Sequence, residues 1–143
     1  MKKEMIAPCG LNCTLCCHYL KDEETCLGCN GPEESKYKWC RDVCTVPRCE
    51  HRRTIPDGFC DQCEKYPCAE IIEKETRYAN AYPMVETPMG NLSYIREKGM
   101  ETFLVQEEKR WTCPECGAVI CVHDGLCSGC GRKYTTRLPN EIK

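Results

Sequence analysis

The chain has few of the aliphatic and aromatic side chains that build an ordinary hydrophobic core. Leu, Ile, Val and Phe account for only 23 of its 143 residues. Ordering the backbone costs roughly 1–2 kcal/mol per residue, and so little apolar surface cannot offset that cost by burial alone. The net charge of only −2 gives no support for a disordered chain. Another source of stability is therefore required.

Signatures of the common enzyme classes and of membrane proteins are also missing. The sequence has no Gly-x-x-x-x-Gly-Lys loop, no Gly-x-Ser-x-Gly elbow and no His-Glu-x-x-His motif. No apolar stretch approaches the length that crosses a bilayer. The segment from Met1 to Cys9 lacks the apolar run of a signal peptide. We therefore expect a cytoplasmic chain that is not an enzyme and has no membrane partner.

Cysteine is the residue that the chain has in excess. Seventeen of the 143 residues are cysteine, and five pairs with the spacing Cys-x-x-Cys begin at residues 13, 26, 60, 113 and 127. This spacing lets two thiolates bind one ion, each at about 2.3 Å. A reducing cytoplasm disfavours disulfides, and an odd cysteine count does not allow a complete disulfide framework. The cysteines are therefore predicted to hold metal ions.

Composition divides the chain into three parts. Residues 1–68 contain twelve cysteines in short loops with Gly and Pro, and they are predicted to form a Cys-rich domain that binds several zinc ions. Residues 69–110 contain no cysteine and are predicted to form short helices packed on that domain. Residues 111–143 are predicted to be a zinc ribbon and a tail. The expected fold class is a small, loop-rich α+β protein stabilised by metal.

Four helices are predicted from apolar spacing and from Pro and Gly positions. They cover residues 37–43, a segment from Pro67 to a proline-broken loop at residues 83–88, a segment capped by Gly90 or Asn91 and ending at Gly99, and residues 100–111. The first helix places Cys40 and Cys44 one turn apart, where both can bind one ion. The apolar faces of the other three are expected to pack against the metal-binding parts rather than to form a partner groove.

The last part has the pattern of a zinc ribbon. Two knuckles, CPECG from residue 113 and CSGCG from residue 127, are joined by a strand-like run at residues 118–122 and an Asp-Gly turn. The glycine after each second cysteine lets the backbone turn so that amide N–H groups reach the thiolates. The predicted ligands of one zinc ion are Cys113, Cys116, Cys127 and Cys130, and Cys121 is expected to be buried.

The N-terminal part offers ligands for three further ions. With Cys17 set aside as a surplus thiol, twelve candidate ligands are present: Cys9, Cys13, Cys16, Cys26, Cys29, Cys40, Cys44, Cys49, His51, Cys60, Cys63 and Cys68. One natural choice groups the four cysteines of residues 13–29 and leaves the other eight ligands for two sites, but cross-braced pairings satisfy the same count. Together with the ribbon, this predicts about four zinc ions. His18 and His123 are expected at the surface or behind ligands.

The order of these motifs is similar to that of a known family. CGLNCTLC at residues 9–16, CLGC at residues 26–29, CDQC at residues 60–63 and YPC at residues 66–68 resemble an uncharacterised cysteine-rich family of bacteria and archaea, a domain of unknown function. The resemblance covers residues 6–72, and the ribbon looks like the C-terminal extension of longer members. It implies metal binding and brings no substrate or reaction.

A non-enzymatic, zinc-stabilised interaction module with a protein partner is the favoured function, but a redox protein stays an alternative. Cys9, Cys13 and Cys16 match the triplet that holds a 4Fe–4S cluster in radical S-adenosylmethionine enzymes. The chain is shorter than the barrel those enzymes require. Because thiolates bind iron–sulfur clusters as well as zinc, a cluster at the N-terminal cysteines, or an exchangeable thiol, remains open.

A weak nucleic-acid-binding adaptor is the second alternative. Residues 36–53 carry a net charge of +4 on an acidic background. The basic and aromatic residues there are Tyr37, Trp39, Arg41, Arg52 and Arg53. This patch is small, and thiolates bound to metal would add negative charge near it.

Overall fold

The structure, a computed structural model, describes residues 1–20, 25–51 and 55–135. Arg52 and Arg53 of the predicted basic patch, and the tail from residue 136, lie outside the described residues. All 17 cysteines are described, and none of them is in a disulfide. The regular structure of the described ranges is helical, so the protein is small, mostly helical and cysteine-rich.

Two short and three longer α-helices organise the described residues. They are α1 (Cys17–Leu20), α2 (Lys38–Asp42), α3 (Ala69–Asn80), α4 (Pro88–Lys98) and α5 (Met100–Trp111). Short 3-10 turns carry several cysteine loops, among them Cys13–Leu15, Val46–Arg48 and Cys60–Gln62. Across the described ranges, no helix is long and apolar enough to cross a membrane.

The ends of α4 follow from its sequence. Thr87 Oγ1 accepts a hydrogen bond from the Gly90 amide at 2.9 Å, and Pro88 occupies the first turn, where a missing N–H is tolerated. The predicted cap at Gly90 or Asn91 is therefore wrong, and Pro88 belongs to the helix rather than to the preceding loop. Gly99 has φ of +93° and ends the helix as predicted, because it adopts this conformation without steric cost.

One hydrophobic cluster joins all three predicted parts of the chain. Leu15 from the N-terminal part and Tyr78 from α3 pack together with Trp111, Ile120 and Val122. The Val122 amide also donates to the Leu15 carbonyl at 3.0 Å. A second cluster surrounds Cys9, Cys44 and Ile71, and a third packs α4 and α5 on Ile6 through Ile95 and Phe103. The division of the chain into three parts stays a prediction, but the parts share their core.

The predicted ribbon hairpin is built from isolated bridges. Three antiparallel bridges pair Thr112 with Val119, Ile120 with Cys127, and Leu126 with Lys133. Backbone hydrogen bonds of 2.8–2.9 Å accompany them, from Ile120 N to Trp111 O and from Cys121 N to Leu126 O. The described residues contain no β-sheet. The predicted α+β class is therefore wrong about the amount of β-structure. The predicted loops and the predicted helices of the middle part are confirmed.

Candidate metal centres

Four thiols of the C-terminal part converge on one point. The Sγ atoms of Cys113, Cys116, Cys127 and Cys130 all lie within 4.8 Å of one another. Cys116 and Cys127 are 3.3 Å apart, and Cys113 and Cys130 are 3.8 Å apart. Thiolates arranged as a tetrahedron, each at about 2.3 Å from an ion, stand about 3.8 Å from one another. This group, the four-cysteine group, has the size of a mononuclear tetrahedral metal site.

Tight backbone turns hold these thiols in place. The Gly117 amide donates to the Cys113 carbonyl at 2.8 Å, and the Gly131 amide donates to the Cys127 carbonyl at 3.1 Å. Both glycines have positive φ, +81° and +76°, in agreement with the turns predicted for them. The Gly129 amide lies 3.4 Å from Cys127 Sγ, a geometry in which an N–H supports a thiolate.

A tyrosine hydroxyl stabilises one thiolate of the four-cysteine group. Tyr134 Oη lies 3.1 Å from Cys113 Sγ. This hydrogen bond, together with the amide groups of Cys116 and Glu115, lowers the pKa of the Cys113 thiol to about 6. The same contact raises the pKa of Tyr134 to about 12, as expected for a hydroxyl that donates to a thiolate. Cys113 is therefore a thiolate at neutral pH, the form that binds metal.

Every cysteine from Cys9 to Cys44, eight in all, lines a single cavity of about 400 Å³, here called the N-terminal cavity. Trp39, Lys74 and Tyr78 contribute to its wall. Its cysteines include the predicted group of residues 13–29 and also Cys9, Cys40 and Cys44, which the sequence left for other sites. Cys17, expected to be a surplus thiol, lines it too. Which of these cysteines share a metal ion stays a prediction.

A smaller cavity, of about 60 Å³, gathers the remaining ligands of the N-terminal part. These are Cys49, His51, Cys60, Cys63 and Cys68. The Cys60–Cys63 turn resembles a zinc knuckle, because the Lys65 amide lies 3.4 Å from Cys63 Sγ. The Cys60 amide donates to the Pro8 carbonyl at 2.9 Å and so ties this turn to the start of the chain. We call this the small cavity.

Thiols of the N-terminal cavity are more widely spaced than those of the four-cysteine group. Apart from that group, only Cys16, Cys17 and His123 bring three ligand atoms within 4.8 Å anywhere in the described part of the chain. These three atoms form a Cys2His group that could bind a metal ion. The other predicted ligands of residues 9–68 come together as cavity linings and not as compact sets.

His123 connects the N-terminal cavity to α3. Its Nδ1 accepts from the Cys17 amide at 3.2 Å, and its Nε2 lies 3.1 Å from Tyr78 Oη. Burial lowers the pKa of His123 to about 4, so the ring is neutral at physiological pH. With Nδ1 accepting, the proton lies on Nε2 and is donated to Tyr78. A metal ion on Nδ1 would displace the Cys17 amide but would keep Tyr78 as the group that orients the ring.

The N-terminal cavity contains a buried cation. Lys74 of α3 is 2% exposed, and its ammonium interacts electrostatically with the thiols of Cys44 and Cys9. Its Nζ lies 4.9 Å from the ring centroid of Trp39, and Arg77 Cζ lies 4.7 Å from the same centroid. Burial raises the pKa of several thiols here, that of Cys16 to about 12. These thiols stay protonated unless a further cation, such as a metal ion, stabilises their thiolates.

Comparisons of the chain with protein-family models, curated proteins and solved structures found no match. The resemblance of residues 6–72 to a cysteine-rich family is not tested by them and stays a prediction.

Proposed function

We propose that the chain is a zinc-binding protein and that its four-cysteine group holds one structural Zn²⁺. The convergence of four thiols within 4.8 Å carries this proposal. A tetrahedral set of sulfur ligands is typical of zinc among the metals available to proteins. Four protein ligands also fill the coordination shell and leave no open position for a reacting water, as in structural rather than catalytic zinc sites.

The C-terminal part is best interpreted as a zinc ribbon. Its first knuckle precedes the bridged hairpin in the chain and its second knuckle follows it, so a metal ion bound by both knuckles would hold the two arms of the hairpin together. Structural zinc contributes roughly 10–16 kcal/mol of binding free energy in small zinc-finger peptides. A contribution of this size would replace the aliphatic core that the composition does not supply.

We infer that this metal-built scaffold is a non-enzymatic module that binds a protein. Large apolar side chains stand on its surface, including Val105 of α5 at 57% exposure and Leu126 of the hairpin at 39%. Apolar surface of this kind suits a protein partner better than a polyanion.

The three described residues of the predicted basic patch, Tyr37, Trp39 and Arg41, have partners within the protein, which disfavours nucleic-acid binding. Arg41 Nε lies 3.1 Å from Asp42 Oδ1. The ring of Tyr37 stacks on His18 with centroids 3.5 Å apart, so its face is covered on that side. Trp39 packs against the cations of α3. Bases that stack on a single-strand-binding protein need exposed aromatic faces next to unpaired cations.

Zinc content per chain tests the proposal. We expect Cys116→Ser to lower the zinc content by one ion relative to the parent protein, because it removes one ligand of the four-cysteine group. Cys121→Ser is the matched control, since Cys121 lies on the same hairpin but outside the group. Equal zinc contents for the parent protein and Cys116→Ser would contradict zinc binding by this group.

A further inference from the structure

We propose that the N-terminal cavity is the binding site of a 4Fe–4S cluster, held by four of the eight cysteines between Cys9 and Cys44. This inference does not rest on the zinc site of the four-cysteine group. It rests on the spacing of the thiols, the cavity that they line and the charge that faces them.

The spacing of the thiols suits several metal atoms better than one. The four-cysteine group serves as an internal standard, since its thiols converge within 4.8 Å as a single tetrahedral ion requires. Among the described residues around the cavity, only Cys16, Cys17 and His123 bring three ligand atoms within 4.8 Å of one another. A cuboidal iron–sulfur cluster places iron and sulfide between its ligands and binds each thiolate at a separate corner. Its thiolates therefore stand further apart than those around one ion, and they surround a cavity.

The thiols around the cavity are electrostatic neighbours of one another. Cys13 interacts with Cys29, Cys9 and Cys16. Cys16 interacts with Cys17 and Cys40, Cys40 with Cys44 and Cys26, and Cys44 with Cys9. All eight thiols therefore belong to one connected group that lines the cavity. Within it we assign the cluster ligands to the predicted triplet Cys9, Cys13 and Cys16 and to Cys40, which interacts with Cys16 and with Lys74.

Lys74 supplies the charge that such a cluster requires. An ammonium that is 2% exposed needs an anionic partner, because an unpaired buried charge is strongly destabilising. Its nearest carboxylate oxygen, on Glu70, lies 3.7 Å away on a side chain that is 31% exposed. The thiols of Cys9, Cys40 and Cys44 all interact with Lys74. An iron–sulfur core bound by four thiolates carries net negative charge, which would make this lysine its counter-ion.

The first test is the metal and sulfide content of the full chain after anaerobic purification. We expect a brown protein with about four iron and four acid-labile sulfide per chain. Zinc is counted in the same samples, because a protein that holds zinc without iron fails the cluster and a protein that holds iron without zinc fails the zinc site. A colourless parent protein that contains zinc alone, and that gains no iron on anaerobic reconstitution with ferrous iron and sulfide, would overturn the proposal.

Substitutions of the assigned cysteines test which of them bind the cluster. Cys13→Ser and Cys40→Ser should each lose most of the iron and the visible absorption. Cys121→Ser is the matched control, because Cys121 is a buried cysteine that lines neither cavity. Iron contents of Cys13→Ser and Cys40→Ser that equal that of Cys121→Ser would contradict the assigned ligands.

Lys74→Met provides a readout that does not depend on losing the cluster. The substitution keeps an unbranched apolar stem and removes the charge. We expect the reduction potential of the cluster to shift to more negative values, because a neighbouring cation favours the added electron. Lys74→Arg keeps the charge, so its reduction potential should stay close to that of the parent protein. A potential that is equal in all three proteins, measured by redox titration with electron paramagnetic resonance, would show that Lys74 does not face a cluster.

Discussion

The Arg110 guanidinium and the Glu107 carboxylate form an ion pair of 2.6 Å inside the protein, with side-chain exposures of 4% and 0%. Glu86 lies 3.9 Å from the same guanidinium on a side chain that is 1% exposed. Two buried carboxyl groups therefore share one cation. Burial, together with the charge of Glu107, raises the pKa of Glu86 to about 8. Glu86 is the group that keeps its proton at neutral pH, because Glu107 has the closer contact with Arg110.

The parent protein should lose stability as pH rises, because Glu86 then has to ionise inside the protein. Glu86→Gln should remove this loss. The unfolded chain releases this proton near pH 4.3, whereas the folded protein holds it to about 8. Between these values the folded state binds the extra proton, so stability falls with rising pH by up to about 1.4 kcal/mol per unit. Urea denaturation across this range should give a flatter curve for the variant and a more stable protein at pH 8. Parallel curves for the two proteins would contradict a protonated Glu86.

Tyr134→Phe should weaken metal binding at the four-cysteine group. The tyrosine hydroxyl stabilises the Cys113 thiolate, and hydrogen bonds to charged groups contribute about 1.5–3 kcal/mol. Without it the pKa of Cys113 rises, so protons compete better for the thiol as pH falls. We expect zinc affinity to fall about tenfold and zinc release on acidification to begin at a higher pH. Chelator competition over a pH series measures both.

Tyr94→Phe is the control for that experiment. It removes a hydroxyl that contacts Gln106 at 3.4 Å and that takes no part in the four-cysteine group. Its zinc release should follow that of the parent protein. Equal zinc affinities for Tyr134→Phe and Tyr94→Phe would mean that the tyrosine contact does not tune Cys113.

The sequence predicts the four-cysteine group because its ligands are close in the chain. Cys113 and Cys130 are separated by two knuckles and a hairpin, and turn chemistry alone brings them together. Tyr134 could not be assigned in the same way. It reaches Cys113 because the chain after the second knuckle pairs with the hairpin, as in the bridge of Leu126 with Lys133. An aromatic residue shortly after a knuckle was the available signal.

The N-terminal cavity depends on contacts between distant segments, so the sequence could not define it. The cavity is closed when α3 carries Lys74 onto cysteines that precede it by 30 residues or more. Apolar spacing predicts that α3 forms, but it does not predict which loops the helix covers. Cys17 was set aside for the same reason. Its place in the Cys2His group requires His123, which belongs to the other end of the chain.

Cys116→Ser should disturb the N-terminal part as well as the hairpin. Cys116 is exposed, so the substitution removes a ligand without opening a cavity in the core. Trp111 and Ile120 pack with Leu15 in one cluster, and disorder at residues 111–134 would uncover it. Hydrogen exchange should therefore accelerate at residues 111–134 and around Leu15, and much less at residues 59–63. Acceleration confined to residues 111–134 would support three independent parts.

The small cavity should hold one zinc ion of its own. It is lined by four cysteines and His51, and its volume of about 60 Å³ suits a single ion rather than a cluster of several metal atoms. Four of these side chains can form a closed tetrahedral site once they turn toward the ion. Arg96 of α4 binds Asp61 of the Cys60–Gln62 turn at 2.9 and 3.0 Å, so this turn is fixed to the helical part before metal binds. We expect Cys63→Ser to lower the zinc content by one ion, measured by native mass spectrometry, and to do so equally in a Cys116→Ser background. Cys121→Ser is again the control. If Cys63→Ser kept the zinc content of that control, the small cavity would not be a zinc site.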